Sequence, residues 1–410
     1  MLCSVSYAGP GDHIRVGDAV IAPRIALGFE YRTNPAQMAS DVIGGPDMTI
    51  SPSLDISAEG PELAFGFGGK WAMRKFFGPK LTSLDRYSDF TINGDFDVFR
   101  KRVVGFKIRE NCALLGDPNE DLLYGNPALE VNQPAYHTRF RNQMGGALVL
   151  RAGPTLEFDL GASWAFDDYS TASNNTTASE DAKVKLESLN RRHTYGPEIT
   201  ALWTFFPRSA LVLDGEYLFN SWADNSIDTS GNSSESLGDS LEIPNSQHFK
   251  IMTGLRGRLT ERMVVILMLG YGTGNYGDKS LNVSGVDGLL TTLQLRYDLG
   301  ASHKLSVGYQ KGFLDSFFTN YVSYNYIHAG LESRYGTRFG SNIKILTRFE
   351  GYEGQVERND ILLQAQGDFS VDLADWATLS TGVWWIERGS NTSSVEYDDV
   401  NIHLLAGFTY

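Results

Sequence analysis

A rhythm of breaks constrains this chain more than any other feature. Tight breaks fall at residues 59–61, 100–102, 152–154, 206–209, 259–262, 300–303, 335–338 and 373–376. Between consecutive tight breaks lies a second one, often long, as at 116–134, 167–190 and 221–245. The segments they bound alternate apolar and polar residues. LEFDLGASWAF puts Leu156, Phe158, Leu160, Ala162, Trp164 and Phe166 on one face and Glu157, Asp159, Gly161 and Ser163 on the other. RIALGFEYR sets Ile25, Leu27, Phe29 and Tyr31 against Arg24, Ala26, Gly28, Glu30 and Arg32. DILLQAQGDFSVDL sets Ile361, Leu363, Ala365 and Phe369 against Gln364, Gln366 and Asp368. A period of two means strands with one apolar and one wet face. No long stretch shows a helical period.

Eight short breaks and nine others delimit eighteen strands, an even number that leaves both chain ends on the short-turn side. A soluble sandwich or propeller would also alternate, but nothing in it requires every second connection to be short. In lipid an unpaired backbone group costs several kcal/mol, so a sheet can span only by closing on itself. Membrane barrels accordingly have short periplasmic turns, long outer loops, a lipid-facing apolar band and aromatic girdles. Aromatics fall near strand ends on the apolar face, including Tyr31, Trp71, Phe90, Trp164, Trp203, Tyr217, Tyr271, Phe349 and Trp385. The predicted fold is all-β: a single transmembrane antiparallel β-barrel of about eighteen strands over residues 18–410, preceded by a periplasmic N-terminal segment, 1–17.

Composition agrees. The chain is 12% aromatic and 20% charged, and its longest apolar run, Met263 to Leu269, is far too short for a spanning helix. A net charge of −14 argues against a nucleic-acid partner. Cys3 and Cys112 make neither a disulfide framework nor a metal cluster. The seven histidines show no metal spacing, and no cofactor is expected. GTGNYG (272–277) fits a dinucleotide fingerprint by letter only, because no helix pattern follows it. The opening residues lack the basic and apolar regions of a signal peptide, which suggests a mature chain or a start farther upstream.

The last ten residues, NIHLLAGFTY, alternate cleanly and end in an aromatic. They resemble the carboxy-terminal signal of bacterial outer-membrane barrels, with Tyr410 as terminal aromatic and Phe408 as the second. That resemblance implies recognition by the barrel-assembly machinery. IRVGDAVIAPRIALGFEYRTN is similar to the opening of a family of β-barrel porins associated with exopolysaccharide export, through Gly17, Pro23, Ile25, Leu27, Phe29, Tyr31 and Asn34. It departs from the family pattern after Tyr31, where RT stands in place of acidic residues. The resemblance implies an eighteen-stranded porin in a Gram-negative outer membrane, in contact with lipid and lipopolysaccharide. Its implied cargo is a secreted polysaccharide, with periplasmic export proteins as partners. A general or solute-specific porin for small hydrophilic molecules is the alternative. A barrel enzyme with a rim site, for instance around His193, is the weaker one, and no enzymatic motif is present.

Function in such a fold is expected on the inner wall. The face opposite the apolar one supplies the cations Arg24, Arg32, Lys107, Arg109, Arg139, Arg141, Arg151, Arg256, Arg258, Arg296, Lys344 and Arg348. It supplies the acids Glu30, Glu157, Asp159, Glu198, Asp214, Glu216 and Glu350. Eighteen strands enclose a lumen wide enough for water. Arg139 and Arg141, with Lys107 and Arg109 on the neighbouring strand, are the expected constriction or selectivity patch, favouring anions. Individual lumen charges can instead brace the wall as ion pairs, such as Arg151 with Glu157. Nearly all the oriented aromatics face lipid, Trp384 excepted, which weakens a sugar-specific reading. The strand NYVSYNYIHAGL, with Tyr324 and Tyr326 on one face and Ile327 and Leu331 on the other, has no secure orientation in the sequence.

Overall fold

A computed structural model describes residues 5–6, 13–34, 42, 44–77, 87–115, 137–171, 191–222, 245–277, 285–315, 320–353 and 357–410. Eighteen long strands make up the wall, numbered here β1 to β18. They are β1 Ala19–Arg32, β2 Gly45–Glu59, β3 Leu63–Phe76, β4 Tyr87–Val98, β5 Val104–Leu115 and β6 His137–Ala152. Next come β7 Leu156–Thr171, β8 Arg192–Phe206, β9 Ser209–Trp222, β10 Ser246–Thr260, β11 Met263–Tyr276 and β12 Val286–Asp298. The set ends with β13 His303–Asp315, β14 Tyr321–Tyr335, β15 Phe339–Glu353, β16 Arg358–Ala374, β17 Ala377–Ser390 and β18 Tyr397–Thr409. Each pairs antiparallel with its sequence neighbour, and β18 returns to pair with β1, from Asn401 opposite Arg32 to Thr409 opposite Arg24. The sheet therefore has no free edge. Two short strands, Val5–Ser6 and Ile14–Val16, pair with each other, and the second also pairs with the start of β1.

All the expected tight breaks are turns between paired strands, and the longer breaks connect the opposite ends. The long connections themselves (116–136, 172–190 and 223–244) lie outside the described residues.

The outward face is the apolar one. Ile25, Leu27, Phe29 and Tyr31 on β1, Trp71 on β3, Trp164 on β7, Trp203 on β8, Tyr271 on β11, Phe349 on β15, and Ile402 and Leu404 on β18 are all solvent-exposed when the protein stands alone. Burial of so much apolar area needs an apolar medium, since a water-facing surface of this kind is far beyond what soluble monomers expose. At the seam Arg32 Nε donates to Asp399 Oδ2 at 3.0 Å, and the Asn34 backbone N–H donates to Asp399 Oδ1 at 2.8 Å. Both Arg32 and Asp399 are buried. At the short-turn end of the same seam, Phe408 stacks on Trp376 at 6.2 Å, and the Tyr410 N–H donates to the Pro23 carbonyl.

Candidate functional site: the inner wall of the barrel

Every cation expected on the inner wall lies on the face opposite the exposed apolar side chains. Pairing with carboxylates divides them into two groups. Near the long-loop ends the pairs are buried. Arg139 donates to Asp167 through Nε at 3.0 Å and Nη2 at 2.7 Å, and Arg192 reaches the other Asp167 oxygen at 3.3 Å. Arg348 pairs with Glu350, and Arg388 donates to the same carboxylate at 3.0 Å. Arg358 lies 3.0 Å from Asp360. Arg32, Asp167, Asp360, Arg388 and Asp399 are each no more than 2% exposed. Inward side chains around the extracellular half are thus packed against one another rather than solvated.

Toward the middle and the short-turn end the bore is wet. Arg24 meets Asp55 at 3.5 Å with both side chains half exposed. Arg296 lies 3.8 Å from Asp298. Arg109, Arg256, Arg258 and Lys344 are exposed and have no ion-pair partner among the described residues. Their side chains project into the bore.

The expected patch on β5 and β6 is largely neutralised. Lys107 Nζ sits between Glu157 at 2.9 Å and Asp159 at 2.7 Å. Arg139 is buried on Asp167, and Arg141 lies 3.9 Å from the same carboxylate. Arg151 donates to Glu157 at 2.8 Å, the wall-bracing pair anticipated from the sequence. Of the four patch residues, Arg109 is the one with no ion-pair partner among the described residues. It lines a bay of about 430 Å³ with Lys107, Asp159 and Glu198, so the local field is mixed in sign. Cross-strand register brings these charges together: Asp159 on β7 and Lys107 on β5 both face Ala147 or its neighbours on β6.

The aromatic reading needs correction. Tyr324 and Tyr326 on β14 face inward and are buried, while Ile327 faces lipid. Tyr276, Tyr352 and Tyr397, together with Trp384, are buried on the inner side as well. The bore is therefore richer in aromatics than alternation alone suggested. The signal was ambiguous because tyrosine suits both an interfacial belt and a polar wall.

β13 shows a second departure from regular alternation. Its ladder with β12 stops at Lys311, whereas its pairing with β14 continues to Asp315 opposite Tyr321. The freed end leans inward across β12 and β11. Phe313 covers Gly272, where a Cβ would lie 2.8 Å from the ring, so only glycine admits this approach. Asp315 then reaches β9, β10 and β11. Its carboxylate accepts from Asn220 Nδ2, from Ser246 Oγ and from Tyr276 OH at 3.0 Å, and it contacts His248 Nε2 at 2.5 Å. This buried cluster narrows the extracellular half on one side.

His193, the residue considered for a rim enzyme, lies on the lipid side, its ring 4.8 Å from that of Phe166.

A closed eighteen-stranded sheet, apolar outside and charged inside, is a bacterial outer-membrane β-barrel, with the short turns on the periplasmic side. Known structures of similar architecture include Pseudomonas aeruginosa OpdK with vanillate, at 11% identity and a TM-score of 0.47, covering 95% of this chain and 99% of that one. Pseudomonas aeruginosa OpdL gives 12% identity and a TM-score of 0.45 over 96% of this chain and 99% of that one. Acinetobacter baumannii OccAB3 gives 10% and 0.47 over 96% and 100%. At these levels the likeness carries no argument of its own, and the assignment rests on the barrel's own two faces. No protein-family model and no curated protein matches the sequence.

Proposed function

We propose that the barrel is a solute-specific outer-membrane channel for small hydrophilic molecules. The supporting observation is the contrast between its two halves: unpaired, solvated Arg109, Arg256, Arg258 and Lys344 below, and buried pairs such as Arg139–Asp167 and Arg32–Asp399 above. A wall whose inward charges are locked together admits water-sized and small polar solutes through whatever path remains and resists bulky ones. Passage of a secreted polysaccharide, the other expectation, calls for a bore wide along its whole length, and the packed extracellular half does not favour it.

The test is permeation by size. Proteoliposomes carrying the purified barrel are placed in isosmotic solutions of a monosaccharide, a disaccharide and longer oligosaccharides. Swelling with the smallest solutes and a sharp fall with chain length supports a narrow channel. Equal swelling with long oligosaccharides overturns it in favour of export, and no swelling or stepwise current with any solute removes the channel reading altogether.

A further inference from the structure

On the inner wall formed by β12 to β16 lies a recess of about 260 Å³ with a chemistry unlike the rest of the bore. Gln294, Gln310, Tyr326, His328, Lys344 and Gln364 line it. Elsewhere the inward face carries many charges, among them the pairs Arg139–Asp167, Lys107–Asp159 and Arg388–Glu350. Here four glutamines, Gln294, Gln310, Gln364 and Gln366, contribute neutral amides, each with a donor and an acceptor end.

Two of its polar atoms lack partners. Gln364 is 5% exposed, and its Oε1 has no hydrogen-bond partner. His328 Nδ1 is likewise buried without one. An orphaned buried acceptor is costly, on the order of 1–3 kcal/mol, and native proteins rarely leave one unexplained. The hollow is also deliberate in the sequence. A Cβ at Gly308 would lie 2.1 Å from the His328 ring, so the imidazole can lie over β13 only because that position is glycine. The ring is then 5.2 Å from that of Tyr326, and the two form one side of the recess. Gln310 is held by its amide donating to the Tyr324 hydroxyl at 3.1 Å, which fixes the direction of its carbonyl.

We propose that this recess is a binding subsite for a neutral, polyhydroxylated solute of monosaccharide size. Hydroxyl groups donate to Gln364 Oε1, hydrogen-bond with His328 Nδ1 and accept from the remaining amide N–H groups, a match that simple inorganic ions and apolar solutes cannot make. The volume suits one sugar ring. Lys344 stands exposed at the rim and serves as a further donor. The assignment rests on the channel reading above, because the solute reaches the recess only from the bore.

The experiment combines equilibrium binding with conductance on the detergent-purified, folded full chain. Glucose and gluconate are titrated calorimetrically against the wild type and the variants Gln364→Leu, Gly308→Ala, Lys344→Ala and Arg109→Ala. The proposal expects glucose to bind, and either of the first two variants to weaken it by about tenfold, the loss of one or two hydrogen bonds. Lys344→Ala changes glucose affinity by no more than about threefold, and Arg109→Ala leaves it unchanged. Heat-modifiability on gels checks that each variant folds. Absence of glucose binding to the wild type, binding unaffected by Gln364→Leu in a folded barrel, or binding of gluconate alone with loss in Lys344→Ala overturns the subsite. Single-channel recording separates the two claims: current without sugar binding refutes only the subsite, whereas sugar binding without any current refutes the channel and with it a subsite reached from the bore.

Discussion

Removing the Asp315 carboxylate tests whether the inward-leaning end of β13 sets the size of the extracellular opening. Asp315 is buried and receives hydrogen bonds from Asn220, Ser246 and Tyr276 while touching His248. Asp315→Ala deletes the acceptor and strands several buried donors. Breaking a buried charged cluster of this kind costs about 3–5 kcal/mol. That cost falls on the leaning conformation alone, because β13 above Lys311 has no ladder with β12 to hold it. The remaining anchors are the Phe313 ring on Gly272 and the continuing pairing with β14. A penalty of that size is enough to invert a two-state equilibrium that favours the closed form by a hundredfold. The predicted outcome in planar bilayers is a larger or more frequently open unit conductance than that of the wild type. Total barrel stability in urea should fall by less than the local penalty, since the eighteen-strand ladder persists. Asp315→Asn keeps the shape and one acceptor, and its conductance should lie between the two. A folded Asp315→Ala barrel with wild-type conductance and gating would refute the idea that this cluster narrows the mouth.

Other consequences are equally direct. Arg109→Glu reverses the one unpaired charge of the β5–β6 patch, and reversal potentials across a salt gradient should shift toward cation preference. Arg141→Ala, whose guanidinium already faces Asp167, should shift them little. Glu110 faces lipid beside Met144 and Gly94 and has no ion-pair partner among the described residues. Glu110→Leu should therefore raise unfolding stability by about 1 kcal/mol in lipid vesicles, and a loss of stability would show that the carboxylate has a partner in the membrane. Deleting Phe408 and Tyr410, which removes the Phe408–Trp376 stack and the terminal aromatic, should sharply lower the amount of folded barrel at the cell surface. Unchanged surface levels would remove the assembly-signal reading.

Much of this architecture was legible because its cause is local. A strand that must be greasy outside and wet inside writes that requirement into every second residue, as in Leu156 to Phe166, and the turn–loop rhythm follows from spanning. Which side chains turn away from the apolar face was therefore readable, from Arg24 to Arg348, although Arg32, Arg139 and Arg348 are buried there. Their pairing was not. Lys107 finds Glu157 and Asp159 across about fifty residues, and Arg32 finds Asp399 across 367, through a register that no short segment encodes. Arg151 and Glu157 were the exception, because six residues and one tight turn separate them. β14 resisted orientation for a different reason: Tyr324 and Tyr326 are amphipathic, and alternation cannot tell a belt from a bore. The inward turn of Phe313 breaks alternation outright, and only the departure of β13 from β12 explains it.

The seam between β18 and β1 has a consequence in time. Arg32, Thr33 and Asn34 emerge more than 360 residues before the carboxylate that fastens them, Asp399. Contacts of such long range form slowly. Until the tail arrives, the polypeptide carries two raw sheet margins, each able to recruit a stranger. Whatever holds it safe in that interval must shield both margins at once and release them only when the final strand is ready to zip shut.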